Sequence, residues 1–228
     1  MKTKNELRNL NQLNKAVYKK WIYSNDINRE NCGNYLQKIS YSITDYNKEL
    51  KIIKKEPKDI VYMIMLANWV KETVDAYIKL IRTDILQGFQ YEELKDESEY
   101  LKAIRSFVVA HPLSTNRHRK YKLDGGFICS DIVINDNYLF PLLHEKDVYT
   151  INTFGLQNGK SKYDYLLKVY SKDDNMKFFK YICCSIEDIN VCVSKYIEKL
   201  YSFATYLAKL KKKDYQEDRI PWINWIYW

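Results

Sequence analysis

Two of the three histidines in this 228-residue chain fall close together, in the stretch Arg105-Ser-Phe-Val-Val-Ala-His111-Pro-Leu-Ser-Thr-Asn116-Arg117-His118-Arg119. An imidazole moves a proton near neutral pH, and a guanidinium stays charged and grips a phosphate through two parallel hydrogen bonds. Brought together, the two groups stabilise charge at a scissile phosphodiester while activating the attacking hydroxyl. The catalytic candidates are therefore Arg105 and His111. Ser106 and the basic run Asn116, Arg117, His118 and Arg119 are candidates for substrate contact. A structural alternative stays open. His111, ahead of Pro112, can cap a last helical turn, Arg105 can pair with Glu97, Glu99 or another surface carboxylate, and the run from Asn116 to Lys120 can be a solvated basic loop.

Other chemistries have less to stand on. His111, His118, Asp124, Asp131 and His144 offer metal-ligating atoms, but no pair has the spacing of zinc ligands on one helical turn, so no metal or cofactor is expected. Asp124-Gly125-Gly126 lacks the lysine of a phosphate-cradling loop and reads as a turn. The five cysteines, at 32, 129, 183, 184 and 192, show no Cys-x-x-Cys pair, and the last three are expected on one helix. They suit reduced thiols in the cytoplasm better than a disulfide frame.

The elements that must position the Arg/His segment are mostly helices. Leu7, Leu10, Leu13, Val17 and Trp21 recur at helical spacing, and after a break at Ser24 to Asn34 so do Tyr35, Ile39, Ile43, Tyr46 and Leu50. A third helix is expected from Asp59 to Leu86, stopping at Gly88, with a seam of Ile60, Met63, Ala67, Val70, Val74, Tyr77 and Ile81. Glu92 to Phe107 is a fourth, leading into the candidate segment. Phe127 to Ile134, Val148 to Phe154 and Tyr165 to Tyr170 read as short strands, with a turn at Asn158-Gly159. A final helix from Asp174 to Lys211, about 55 Å long at ~1.5 Å per residue, is expected from Ile182, Ile186, Ile189, Val193, Tyr196, Leu200, Phe203, Leu207 and Leu210. Its long seam calls for a long partner, either the third helix or a second copy of the chain.

The fold class is thus expected to be mainly α, a long-helix bundle with a small β-element inserted at about residues 122–171. A single domain is expected. Residues 1–57 form an N-terminal helical pair, 58–121 with 172–212 the bundle core, and 213–228 an aromatic tail. Three of the five tryptophans stand in Trp222-Ile-Asn-Trp225-Ile-Tyr-Trp228, a sequence that either folds back onto the bundle or docks on a partner. The net charge of +8 admits a polyanion partner, although heavy use of Lys, Asn, Ile and Tyr together also follows from A/T-rich coding. Val61 to Val70, the longest apolar run, is half of the ~20 residues of a membrane span, and no secretory signal opens the chain.

Arg105, a polar residue, and an apolar run ending in Ala110-His111-Pro112 resemble the Arg-x(4–6)-His signature of HEPN domains. The position after the arginine holds Ser106, where Asn, Asp or His is more usual in that family. The resemblance implies a helical bundle and metal-independent RNA cleavage, with His111 as the proton-transfer group and Arg105 orienting the phosphate. It also implies a site composed across a homodimer, and a toxin, antitoxin-paired or abortive-infection setting. A second reading is a non-catalytic helical interaction protein in a defence or mobile-element complex, with a protein partner and no membrane.

Overall fold

The computed structural model describes residues 15, 19–110, 119–121, 127–134, 148–159, 161–171 and 178–212. A 3-10 turn, Lys20–Ile22, precedes α1 (Asp26–Lys51), whose N-cap Asn25 accepts a hydrogen bond from the Asn28 amide. The break expected at Ser24 to Asn34 is therefore short. Helix α2 (Pro57–Ile78) opens on proline at its first position and a capping box in which Asp59 Oδ2 accepts from the Glu56 amide at 2.7 Å. A single turn, α3 (Thr83–Leu86), follows, then α4 (Lys95–Arg105), which runs into a π-helical turn, Ser106–Ala110. A 3-10 turn, Arg119–Tyr121, leads to strands β1 (Phe127–Ile134), β2 (Val148–Asn152), β3 (Gly155–Asn158), β4 (Tyr165–Ser171) and β5 (Phe178–Cys184). Helix α5 (Ile186–Lys209) closes the described chain.

The five strands form one mixed sheet in the order β1-β4-β5-β2-β3, antiparallel except where β2 runs parallel to β5. This overturns the expected bundle with a small insertion. The sheet is a layer of the fold, and its central strand β5 comes from 178–184, a stretch assigned to the last helix. The residues explain why. Phe178-Phe-Lys-Tyr-Ile-Cys-Cys184 carries three aromatics and the β-branched Ile182, a composition suited to a strand, while Ile182 happens to continue the spacing of the helical seam beyond it. Ser185 then caps α5 by accepting from the Glu187 amide, and Asp164 Oδ2 accepts from the Ile186 amide at 2.7 Å. Helix α5 is accordingly about 36 Å long at ~1.5 Å per residue. Cys183 and Cys184 lie on opposite faces of β5 rather than on one helix.

One face of the sheet joins the helical core through Ile151, Tyr165, Leu167, Val169, Ile182 and Cys184, while Val148, Leu166, Cys183 and Tyr163 cluster on the other. The α5 seam (Ile189, Val193, Tyr196, Leu200, Phe203, Leu207) is buried, and α5 packs on α2 and α4. The expected partner helix is therefore the right one, supplied in the same chain. Tyr77 of α2 meets Phe203 of α5 edge-on, with ring centroids 6.0 Å apart. Asn68, which interrupts the apolar run of α2, is buried and donates from Nδ2 to the Leu101 carbonyl of α4 at 3.2 Å.

Helix α2 ends at Ile78, short of the expected Leu86, for a tertiary reason. The Leu80 carbonyl accepts from the Ser24 amide and from Asn28 Nδ2, the Arg82 amide donates to the Ile22 carbonyl, and Tyr23 bridges to Ile81. No helix among the described residues is long and apolar enough to cross a membrane. The first expected helix lies largely outside the described residues, as do the Asp124-Gly-Gly turn and the aromatic tail.

Two outcomes follow from this packing. Asn68→Ala removes the buried hydrogen bonds that Nδ2 donates to the Ile64 and Leu101 carbonyls, a loss of about 1–3 kcal/mol readable by urea unfolding. Burial raises the phenol pKa of Tyr46, Tyr77, Tyr100, Tyr121, Tyr165 and Tyr196. An unfolded phenol ionises near about 10. The folded chain thus keeps protons that the unfolded chain releases, so this stability is complete below pH ~10 and is lost as the pH rises further. The urea midpoint should fall across that window, with tyrosinate absorbance appearing together with loss of helical ellipticity. Ionisation of most tyrosines ahead of unfolding would refute it.

Candidate functional site

Arg105 is the last residue of α4, at the junction with the π turn that carries the helical backbone on to Ala110. Its Nη1 donates to Glu72 Oε1 of α2 at 2.8 Å. The side chains are 42% and 47% exposed, so the pair sits in water and is worth about 0–1 kcal/mol. Among the described residues this is one bond and not the two-pronged grip a guanidinium can make. The expected alternatives are occupied elsewhere: Glu97, nearly buried, accepts from Lys195 of α5, and Glu99 lies 3.7 Å from Lys120.

Ser106, half-buried, begins the π turn. Phe107 is buried and Val108 and Val109 pack against the same core, covered by α2 and β1. Three successive apolar residues thus find cover on more than one side, where a surface α-helix would expose some of them. A π turn within a helix often marks a functional site. His111, Asn116, Arg117 and His118 lie outside the described residues, as does the side chain of Arg119. The chain is met again at Lys120, whose Nζ pairs with Asp96 of α4, and at Tyr121, which is buried. Both ends of the 111–118 segment are therefore anchored near α4, and Lys120, counted in the basic run, is committed to carboxylates of α4.

An aromatic group outside the apolar seams stands between α1 and α2. Trp69 is one helical turn from Glu72 on α2, half-buried, with Lys38 Nζ of α1 4.5 Å from its ring centroid and Tyr41 edge-on at 6.3 Å. The signal in the sequence was an aromatic placed off the apolar seam of α2, where burial does not require it. Deeper between the helices, Asp75 pairs with Lys199 at 2.9 Å and with buried Lys71 at 3.8 Å. Burial, reinforced by the Lys102 and Lys199 charges, lowers the Lys71 pKa against the pull of Asp75.

No family model matches the chain, and no curated protein or solved structure matches it either. Its chemistry must be read from its own residues. Three of the cysteines are held as thiols: burial pushes Cys129 up to about 11 and raises Cys184 and Cys192 as well. Of the five metal-ligand candidates, Asp131 alone is among the described residues, in β1, 3.5 Å from Lys168. No group of three or more His, Cys, Asp or Glu among the described residues is placed to hold a metal.

Because the Arg105–Glu72 pair is exposed, Arg105→Ala should shift the unfolding free energy by less than about 1 kcal/mol and leave the circular dichroism unchanged. A loss above about 2 kcal/mol would make Arg105 a structural residue.

Proposed function

We propose that the chain acts on RNA as a HEPN-like, metal-independent endoribonuclease or RNA-targeting toxin or defence protein. The observation that carries this reading is the condition of Arg105. Its guanidinium is half-exposed, oriented by one weak bond to Glu72, and stands where the chain enters the segment with His111. A phosphate offers a charge-assisted, bidentate contact that can displace an exposed carboxylate. The aromatic group of Trp69 and Tyr41 with Lys38 adds what single-stranded RNA uses: a ring for a base and a cation for the backbone.

In this reading His111 takes the proton of the attacking 2′-hydroxyl as its oxygen bonds to phosphorus. The bond to the 5′-oxygen breaks, solvent protonates that oxygen, and a 2′,3′-cyclic phosphate remains. Arg105 holds the non-bridging oxygens as charge builds on them. The resemblance supports a homodimer, but the α5 seam is consumed within the chain, so a dimer would need another surface. The second reading, an interaction protein with a partner or antitoxin, is favoured by one observation: Glu72 already neutralises Arg105.

The test is RNA cleavage in EDTA by the wild type, Arg105→Ala, His111→Ala and Glu72→Gln, with oligomeric state recorded on the same samples. Wild type should leave cyclic phosphate ends, and the two alanine variants should each lose about 100-fold or more while remaining folded. Glu72→Gln removes the competitor of the phosphate and should tighten RNA binding by up to about fivefold. Chelator-sensitive cleavage, or cleavage untouched by His111→Ala, would refute the mechanism. A folded wild type inert on several RNAs would favour the interaction protein.

A further inference from the structure

An aromatic groove of about 530 Å³ lies at the C-terminal end of α5, within the range of roughly 300–1,000 Å³ typical of ligand pockets. Phe89 and Gln90 form one wall, and Tyr201, Thr205, Tyr206 and Lys209 the other. It is built rigidly. The Tyr206 hydroxyl donates to the Ile85 carbonyl, and its ring lies 5.6 Å from that of Phe89. Gly88 lets the phenol pass, since a Cβ there would stand 2.5 Å from Tyr206 Oη. Lys19 Nζ donates to the carbonyls of Leu207, Ala208 and Leu210, which fixes the helix end from which the chain departs.

We propose that the groove is the docking site of the chain's own segment 213–228, with a tryptophan among Trp222, Trp225 and Trp228 as its anchor. Lys209 lines the groove and Lys213 follows it by about one helical turn's worth of sequence, so the segment starts at the groove's edge. From Lys212 to Trp222 the chain can reach up to roughly 33 Å, against about 12 Å of helix from Tyr201 to Lys209. The chain can therefore reverse direction and run back along α5. The chemistry fits: Phe89, Tyr201 and Tyr206 offer ring faces, Gln90 and Thr205 offer oxygen acceptors for an indole N–H, and Lys209 offers a cation for its π face. Asp214, Glu217 and Asp218 in the connecting stretch complement Lys209, Lys211 and Lys212 in charge. A short tether also gives the segment an effective concentration of roughly millimolar, which a partner in trans must exceed.

The proposal is independent of the RNA reading and is tested on the full chain from both sides of the contact. Amide exchange is followed over residues 85–91 and 199–209 in the wild type and in the triple variant Trp222→Ala, Trp225→Ala, Trp228→Ala. Tryptophan quenching by acrylamide is compared between the wild type and Thr205→Arg, which fills the groove. All measurements are made at two concentrations tenfold apart. The triple variant should exchange about tenfold faster at the groove and Thr205→Arg should expose most of the tryptophan fluorescence, both independent of concentration. Unchanged groove exchange, or tryptophans still shielded in Thr205→Arg, would overturn the proposal. Protection that grows with concentration would also overturn it, in favour of a second copy's segment.

Discussion

Helix α2 is enclosed on almost every side, and the rest of the structure is arranged to keep it so. Ile60, Met63, Ile64, Leu66, Ala67, Val70, Val74 and Tyr77 are buried, and so are the polar Asn68, Lys71 and Thr73. Helix α1 covers one flank, α4 and α5 cover others, and β1 touches it as well. An apolar circumference of this width cannot be left in water, so each neighbour is held by what it hides. The polar residues in this helix are accommodated by particular bonds: Asn68 to the Leu101 carbonyl, Thr73 to the Trp69 carbonyl and Lys71 to Asp75.

That enclosure also decides which charges are available for chemistry. Where α2, α4 and α5 converge, Asp75, Glu97 and Lys199 are committed to bonds between helices. Further out, burial falls and the pairing weakens. Arg105 and Glu72 meet near solvent, and Lys38 rests over Trp69 in place of a carboxylate. The gradient from buried to exposed pairing separates charges that hold the helices together from a pair that meets water.

The two ends of α5 show the same combination of local and distant parts. Its start is fixed by Ser185 next to it and by Asp164 from the turn before β4, and its end by Lys19 from the far end of the chain. These contacts place the aromatic groove of Phe89, Tyr201 and Tyr206 at a defined position, where the following segment leaves the helix.

Much of the helical framework was legible in the sequence because helices bury a stripe whose period of three and four is local. The seams of α2 and α5 and their mutual pairing could be read in that way, three of the five strands could be read from β-rich runs between turn signals, and the Ser185-x-x-Asp188 pattern, a helix start in its own right, was there to be seen. The sequence alone also placed Arg105 in the last part of a regular helix, with the rest of the Arg/His segment following it. Tertiary structure decided what depends on distant partners. Phe178 to Cys184 became the central strand because β4 and β2 flank it, the short strand β3 formed by pairing back on β2, and α2 ended where residues 22–24 capture Leu80 and Arg82. The choice of Glu72 over Glu97 or Glu99 for Arg105 was likewise made in three dimensions. Periodicity records which face of a segment is apolar; it does not record which partner, far along the chain, will cover that face or claim its charges.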